Sequence, residues 1–509
     1  MIKQRVVIMG AGVGGLSVCH ELSKMKDKYE VILIDRKLQP GGQDESSVTD
    51  EGRHSEYCWK AISSWYMNLP RILSEIVDEK GDALISKLEP FEHYHYVLKG
   101  DDIHHYDGLF LTNYHLFFRT LRQITGKSHI MDLLRCVYMV ISARTSCDER
   151  MNAMGEVYWK DYVKNLSPEA KRWVLDSTSI YLGMDYNHID AYLMLDLLRH
   201  NETSKLLDPK YAFYSFNGAM NLTFFNVWVE HLKNEGVSVY LNHEIQSINM
   251  DGDKIISINI LNKMTNDSET KTGDIFVNGL PTESLAHLIK RDSFIKLARL
   301  GHQIQTQVLY YLDFRIPQDK NTAYIFSDSP WFLMARHEGS FWDLQNYDLL
   351  SCGIGIMDVP GLNGKVAIEC TREELAQECW DQMTQYPPEN FPKKLPEWNI
   401  WKSFKFTLLG THEPKFSNNK GTLQLRPNSK DDEIVNLYHA TSYTRTNVNI
   451  FNMESGVEAG VRVAAKLGGK EAVIPCSKPS FLLRCLRKID KVWFRIQKSF
   501  RCISADDVV

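Results

Sequence analysis

The stretch that most restricts what this chain can become is its first thirty-five residues, Met1 to Asp35. Arg5-Val6-Val7-Ile8-Met9 is a short apolar run of the kind that forms a buried strand, and Gly10-Ala11-Gly12-Val13-Gly14-Gly15 follows it without a spacer. Leu16, Val18, Cys19 and Leu22 then recur at helical spacing, and a second apolar run, Val31 to Ile34, ends on Asp35. Strand, glycine turn, helix, strand and acid in this order make a dinucleotide-binding unit. Gly10 allows the tight turn, Gly12 lets backbone approach a pyrophosphate with no Cβ in the way, and Gly15 lets the helix sit close on the sheet. The helix N-terminus offers unpaired N–H groups and a positive dipole end to phosphates. Asp35, twenty residues past Gly15, is placed to accept hydrogen bonds from both ribose hydroxyls and to repel a 2′-phosphate, which favours FAD or NAD over NADP.

At 509 residues the chain exceeds one hydrophobic core and suggests two or three domains. A formal net charge of -5 argues against a general nucleic-acid binder. The ten cysteines have no CxxC or other metal-ligand spacing, so neither a disulfide framework nor a zinc site is indicated, and reduced thiols in the cytoplasm are the expectation. No run of eighteen apolar residues is available to span a bilayer, and Gly10 to Gly15 break the run that a signal peptide needs.

Beyond Asp35 and Arg36, a glycine pair, Gly41 and Gly42, lies six and seven residues past the acid and is followed by Gln43. With this spacing the sequence resembles the flavoprotein superfamily of amine oxidases and phytoene-desaturase-like enzymes, in which the corresponding pattern ends in Gly-Gly-Arg. The resemblance implies an α/β architecture: a Rossmann-type FAD/NAD(P)-binding domain with a discontinuous second α+β substrate domain, and FAD as cofactor. Gln43 stands where the family has arginine. On this resemblance residues 1–78, 211–290 and 413–470 form the FAD-binding domain and 79–210 and 291–412 the substrate domain; 476–509, outside the resemblance, reads as a basic amphipathic C-terminal tail.

Further along, His54-Ser55-Glu56-Tyr57-Cys58-Trp59 either faces the cofactor or caps an amphipathic helix expected from about Ala61 to Asp78. From about Leu84 to Leu207 the spacing is mostly helical, through Leu116, Phe117 and Leu121 and again through Tyr192, Leu193, Leu195 and Leu197. His93, His95, His104 and His105 lie in strand-like sequence without a carboxylate at ligand spacing, so no metal is assigned to them. A helix ending at Asn234-Glu235-Gly236 precedes strands at Val237 to Leu241 and Glu244 to Ile248. In the resembled family the residue matching Ile245 holds the adenine edge through its backbone, and Gly273 to Pro281 matches a strand that ends in a proline turn beside the flavin ring. The aromatic segments His302 to Phe314, and Asp328-Ser329-Pro330-Trp331 through Phe341-Trp342, suggest a second, mixed sheet, its aromatics either lining an apolar substrate cavity or packing as core. Cys370-Thr371-Arg372-Glu373-Glu374 has the form of a capped helix start.

Near the C-terminus, Asn452-Met453-Glu454-Ser455-Gly456 opens a helix and resembles the family's Met-Glu-Gly motif, whose helix aims its N-terminal dipole at the flavin. Thr441-Ser442 occupies the place of the usual Gly-Asp, so Ser442 replaces the expected carboxylate with a neutral hydroxyl. Resemblance assigns Gly10, Gly12, Gly14, Gly15, Asp35, Arg36, Gly41, Gly42, Gln43, Ile245, Ser442, Asn452, Met453 and Glu454 to the cofactor.

Lys478 to Arg501 carries eight Lys or Arg against one Asp, with Leu482, Leu486, Ile489, Val492, Trp493, Ile496 and Phe500 at helical intervals. That composition favours a peripheral membrane contact, with a helix packed on the body of the protein or on a partner as the alternative. Amine oxidases place an aromatic residue where this chain has Asn452, whereas Ser329-Pro330-Trp331, Glu413-Pro414-Lys415 and Arg426-Pro427 resemble the phytoene-desaturase-like branch. The expectation is therefore a flavin-dependent desaturase or dehydrogenase that takes hydride from an apolar isoprenoid or lipid. An oxygen-using amine oxidase, and a binding partner that has lost redox activity, are the alternatives.

Overall fold

The computed structural model describes residues 2–56, 60–91, 93–98, 101–106, 130–168, 170–171, 174–175, 186–200, 202–298, 300, 302–303, 306–316, 322–326, 329–342, 344, 346–385, 394–400 and 415–500. Tyr57 to Trp59, the helical spacing through Leu116 and Leu121, Asp328 and Glu413-Pro414 fall outside these residues.

Five short strands build one all-parallel sheet: β1 (Gln4–Met9), β2 (Tyr29–Ile34), β3 (Ser238–Tyr240), β4 (Ile275–Asn278) and β5 (Leu437–His439). Their spatial order is β3-β2-β1-β4-β5. Parallel strands covered on both faces lose the polar alternation of an exposed sheet, which is why β1 reads as an unbroken apolar run. Val6 and Ile8 pack into one core cluster, Val7 and Met9 into another on the opposite face. The first face is covered by helices α1 (Val13–Ser23) and, much later in the chain, α3 (Met453–Lys466). The second packs against an antiparallel three-stranded sheet of His243–Asp251, Lys254–Asn262 and Ser268–Thr272. The chain makes two long excursions from the parallel sheet, after β2 and after β4, and returns to it for β3 and then for β5.

The excursions build a mixed seven-stranded sheet in the order Glu397–Ile400, Gln307–Leu312, Asp348–Ile354, Leu333–His337, Thr322–Phe326, His93–Leu98, Asp101–Tyr106. Only Thr322–Phe326 with His93–Leu98 pairs parallel. The helix Arg372–Met383 backs it, started by the capping box that the sequence announces: Thr371 Oγ1 accepts from the Glu374 N–H, and Glu374 returns a carboxylate to the Thr371 N–H. In its strands Gln307–Leu312 and Thr322–Phe326, Tyr310, Tyr311, Tyr324 and Phe326 are buried in the core. Trp331 is fully buried with its indole N–H on the Val359 carbonyl, and the buried Trp342 donates to Phe216.

One expected element differs. The helix placed at Ala61 to Asp78 is only α2 (Asn68–Glu75), because Ile62–Ser63 is drawn into a strand beside Phe213–Phe216. Within the mostly helical region, the strand-like sequence from His93 to His105 forms the expected strands, a β-hairpin of His93–Leu98 with Asp101–Tyr106 held by a sheet partner far along the chain. The tail forms α4 (Phe481–Phe500), which packs across helices Ile130–Thr145 and Asp148–Ala153. Among the described residues no helix is long and apolar enough to cross a membrane.

Candidate functional site

All five parallel strands end at one cleft, a cavity of about 470 Å³, within the range of small-molecule sites. Ligands in open α/β sheets bind outside the carboxyl ends of the strands, and each strand here delivers residues to that place. Gly10 and Gly12 follow β1, Asp35 and Arg36 follow β2, His243 to Ile245 follow β3, Gly279 to Pro281 follow β4, and Thr441 to Tyr443 follow β5.

The glycines divide the work. Gly10 has φ +112°, and a Cβ there would lie 2.7 Å from the Gly279 carbonyl oxygen, so the turn after β1 fits against the turn after β4 only as glycine. A Cβ on Gly15 would lie 2.0 Å from the Gly10 oxygen, which puts Gly15 beneath the turn and out of the cleft. A Cβ on Gly14 would lie 1.9 Å from the Ala440 oxygen, where α1 meets the chain leaving β5. Gly12 alone faces open space, with no atom within 4 Å of its would-be Cβ.

The loop after β2 is tied down on three sides. The Asp35 carboxylate accepts from the Ala11 N–H (2.6 Å) and the Lys37 N–H (2.8 Å). Burial raises this carboxyl above the ordinary range, and those two donors oppose the rise. Lys37 Nζ reaches forward to the Gly42 carbonyl (3.1 Å) and Glu45 (2.8 Å). The Gly41 N–H donates to Ala11 O at 2.9 Å, so the second glycine pair lies against the first. Both Gly41 and Gly42 have positive φ, and the Phe225 ring covers Gly41 so closely that any Cβ would strike it. Asn221 completes the support: its Nδ2 donates to Pro40 O at 2.8 Å and its Oδ1 accepts from Ser46 N–H. Asn221 and Phe225 bound a single π-helical turn, Asn221–Phe225, that leads into helix Asn226–Asn234.

On the opposite wall, Asn278 at the end of β4 donates to the Tyr443 hydroxyl (2.8 Å), which donates in turn to Leu280 O (2.8 Å). Asn452 caps α3 by accepting from the Ser455 N–H (2.8 Å), so the N-terminus of this helix opens on the cleft. A Cβ on Gly456 would press on Val13, and one on Gly460 would lie 2.5 Å from Gly14 O. Glycines at both ends of the chain therefore let α1 and α3 cross in contact.

Of the residues assigned from sequence, Gly10, Gly12, Gly14, Asp35, Arg36, Gly41, Gly42, Gln43, Ile245, Ser442 and Asn452 line this one cleft. Gly15, Met453 and Glu454 do not. Met453 is packed in the core. Glu454 turns away and caps α2: its carboxylate accepts from the Met67, Asn68 and Leu69 N–H groups and from the Asn68 side chain. Burial pushes its carboxyl up to about 7 against those donors. Sequence reasoning missed Lys37, His243, Glu244, Thr282, Tyr443 and Phe451, all of which line the cleft. Their common signal is position just past a strand end or just before the α3 cap.

A family model described as an NAD(P)-binding Rossmann-like domain matches residues 8–76. No curated protein sequence matches the chain. Among solved structures, a putrescine oxidase bound to putrescine superposes with TM-score 0.62 at 16% identity, covering 92% of this chain and 100% of that one. A provisionally named protoporphyrinogen oxidase from Exiguobacterium sp. 255-15 gives TM-score 0.62 at 14% identity over 92% and 100%. Cyclohexylamine oxidase from Brevibacterium oxydans IH-35A gives 0.59 at 12% identity over 92% and 99%. The chain shares the fold of these oxidases over nearly its whole length.

Proposed function

We propose that this chain is an FAD-dependent oxidoreductase. The observation that carries the reading is the open face of Gly12 in a cleft that runs from Asp35, past Gly42, to the N-terminus of α3. A mononucleotide needs only the turn after β1, whereas a cleft continuing to a second helix N-terminus suits an extended dinucleotide. Asp35 and Ile245 would hold the adenosine end, the N-terminus of α1 with Gly12 and Gly42 the diphosphate, and Gln43, Ser442 and Asn452 the ring end. FAD, when bound, supplies a hydride acceptor.

The chain's own residues orient and exclude. The α3 N-terminus, capped by Asn452, sets a positive dipole end where negative charge gathers on reduction. Phe225 and Asn221 fix the Gly41–Gly42 loop. Ser442 offers a neutral hydroxyl in place of a carboxylate, which weakens the hold on the cofactor without abolishing it.

Among substrates, the reading extends to an apolar isoprenoid or lipid that gives up hydride. Its support is Asn452, whose side chain is engaged in capping and supplies no aromatic face for an amine. An amine is the second reading, favoured by the amine oxidases among proteins of like fold. Anaerobic bleaching of the purified flavoprotein by a polyene, without peroxide release on adding amines, is the expected result. Peroxide formed from an amine, with no response to polyenes, would replace the first reading with the second.

A further inference from the structure

Helix α4 is docked on the body by one face only. Asp490 accepts from the Cys147 N–H (2.8 Å) and pairs with Arg150, Phe494 is buried under the Arg150 guanidinium, and Arg487 donates to Arg144 O. At 100° per residue these docking side chains lie opposite the helix's own apolar stripe. Phe481, Leu482, Ile489, Val492 and Trp493 point outward, each more than half exposed.

The supporting helix Ile130–Thr145 exposes a second stripe at helical spacing, Ile130, Leu134, Tyr138 and Ile141, again each more than half exposed. Tyr138, Ile141 and Trp493 line one cavity of about 440 Å³, so the two stripes adjoin. A soluble surface disperses such side chains, and a contiguous patch of this kind marks an interaction site.

The charge beside the patch identifies the partner. Residues 481–500 hold six Lys or Arg and one Asp in a chain whose net charge is -5. The single acid is consumed in docking, while Arg484 and Lys488 are exposed along the flank of the apolar stripe. An apolar face with Trp and Phe, edged by cations of one sign, matches the boundary between anionic headgroups and acyl chains.

We propose that α4 and helix Ile130–Thr145 together form a peripheral docking surface for an anionic lipid bilayer. The helix lies in the plane of the interface while Asp490 and Phe494 keep it fixed to the body, so the protein rests on the membrane as one unit. The surface is independent of what occupies the cleft.

The test is co-sedimentation of the full-length protein with phosphatidylcholine vesicles, alone or with about a third phosphatidylserine. Binding to the anionic vesicles is expected, weakened by about 0.5 M salt. A variant with Ile489→Ser, Val492→Ser and Trp493→Ser should bind at least about tenfold more weakly with an unchanged melting temperature, because the altered side chains face outward. The pair Arg484→Glu and Lys488→Glu should lose the preference for anionic lipid. Failure of the wild type to sediment with either vesicle, or equal binding by the triple variant, overturns the proposal. A wild-type dimer that the triple variant converts to a monomer, without vesicle binding, overturns it in favour of a second copy of the chain.

Discussion

Four glycines in one short motif are under different constraints, and single substitutions should separate them. Gly12 has an ordinary backbone conformation and empty space around its would-be Cβ. Gly12→Ala should therefore leave stability within about 0.5 kcal/mol of wild type while weakening cofactor binding at least tenfold, as read by a melt and a flavin titration. Gly14→Ala forces a Cβ onto the Ala440 carbonyl and should destabilise the fold by about 1–3 kcal/mol, with cofactor loss following from that. The motif was legible as a motif, because its spacing to Asp35 is local. The tight turn at Gly10, the open face of Gly12 and the close packing at Gly15 were legible because they come from the β1–α1 unit itself, but Gly15, assigned to the cofactor with them, lies outside the cleft. Gly14 was opaque, because its neighbour Ala440 arrives from the other end of the chain.

Buried acids carry a prediction at the same scale. Burial and the nearby Glu338 push Glu56 up to about 8 from an ordinary 4.5, despite Arg336, Lys60 and the Met220 N–H. A folded-state value above the unfolded one means that the native state holds the proton longer. The stability this gives is complete below 4.5 and is lost as pH rises through about 8. His200, held at about 3 by burial, works in the opposite direction but has no further effect above its ordinary 6.5. The melting temperature should then fall between about pH 6.5 and pH 8 and level off above, and Glu56→Gln should flatten that fall. An equally steep decline in the variant would count against Glu56 as its source.

Among elements, those with local signals were the easier to read. The capping box at Thr371 and Glu374, the Asn452 cap of α3 and the amphipathic period of α4 are all written in adjacent residues. An element fixed by distant partners was misread: α2 is shorter than its pattern because the residues before it pair with Phe213–Phe216, and it starts where Glu454 accepts its first N–H groups. The π turn at Asn221–Phe225 has no sequence signature, yet it supports the glycine loop from behind. Asn221→Ala removes the partner of the Pro40 carbonyl and the Ser46 N–H and should cost about 1–3 kcal/mol. If the loop is held for cofactor, the variant should also bind flavin more weakly in titration. Gly460→Ala, with its Cβ 2.5 Å from Gly14 O, should part α1 from α3 and produce the same pair of losses.

On the scale of the whole molecule, the two ends of the chain meet. β1 and β5 flank β4 in one parallel sheet, and α1 and α3 cross through their glycines above it, so the cleft exists only when residues from start, middle and end assemble. That convergence was legible because each block carries its own turn or cap beside a strand. The second, mixed sheet was legible in its aromatic segments, but its strand order was not, because pairing between His93–Leu98 and Thr322–Phe326 leaves no mark in either. Tyr310, Tyr324, Phe326 and Trp331 are core, since a large sheet packed on helix Arg372–Met383 buries them whatever else the protein does. The account's central claim is that this assembled cleft holds FAD, and the most direct measurement is the absorption spectrum of the purified full-length chain, before and after adding FAD. A flavin band with one FAD per chain is the predicted result. A colourless protein that gains no bound flavin from excess FAD would contradict it.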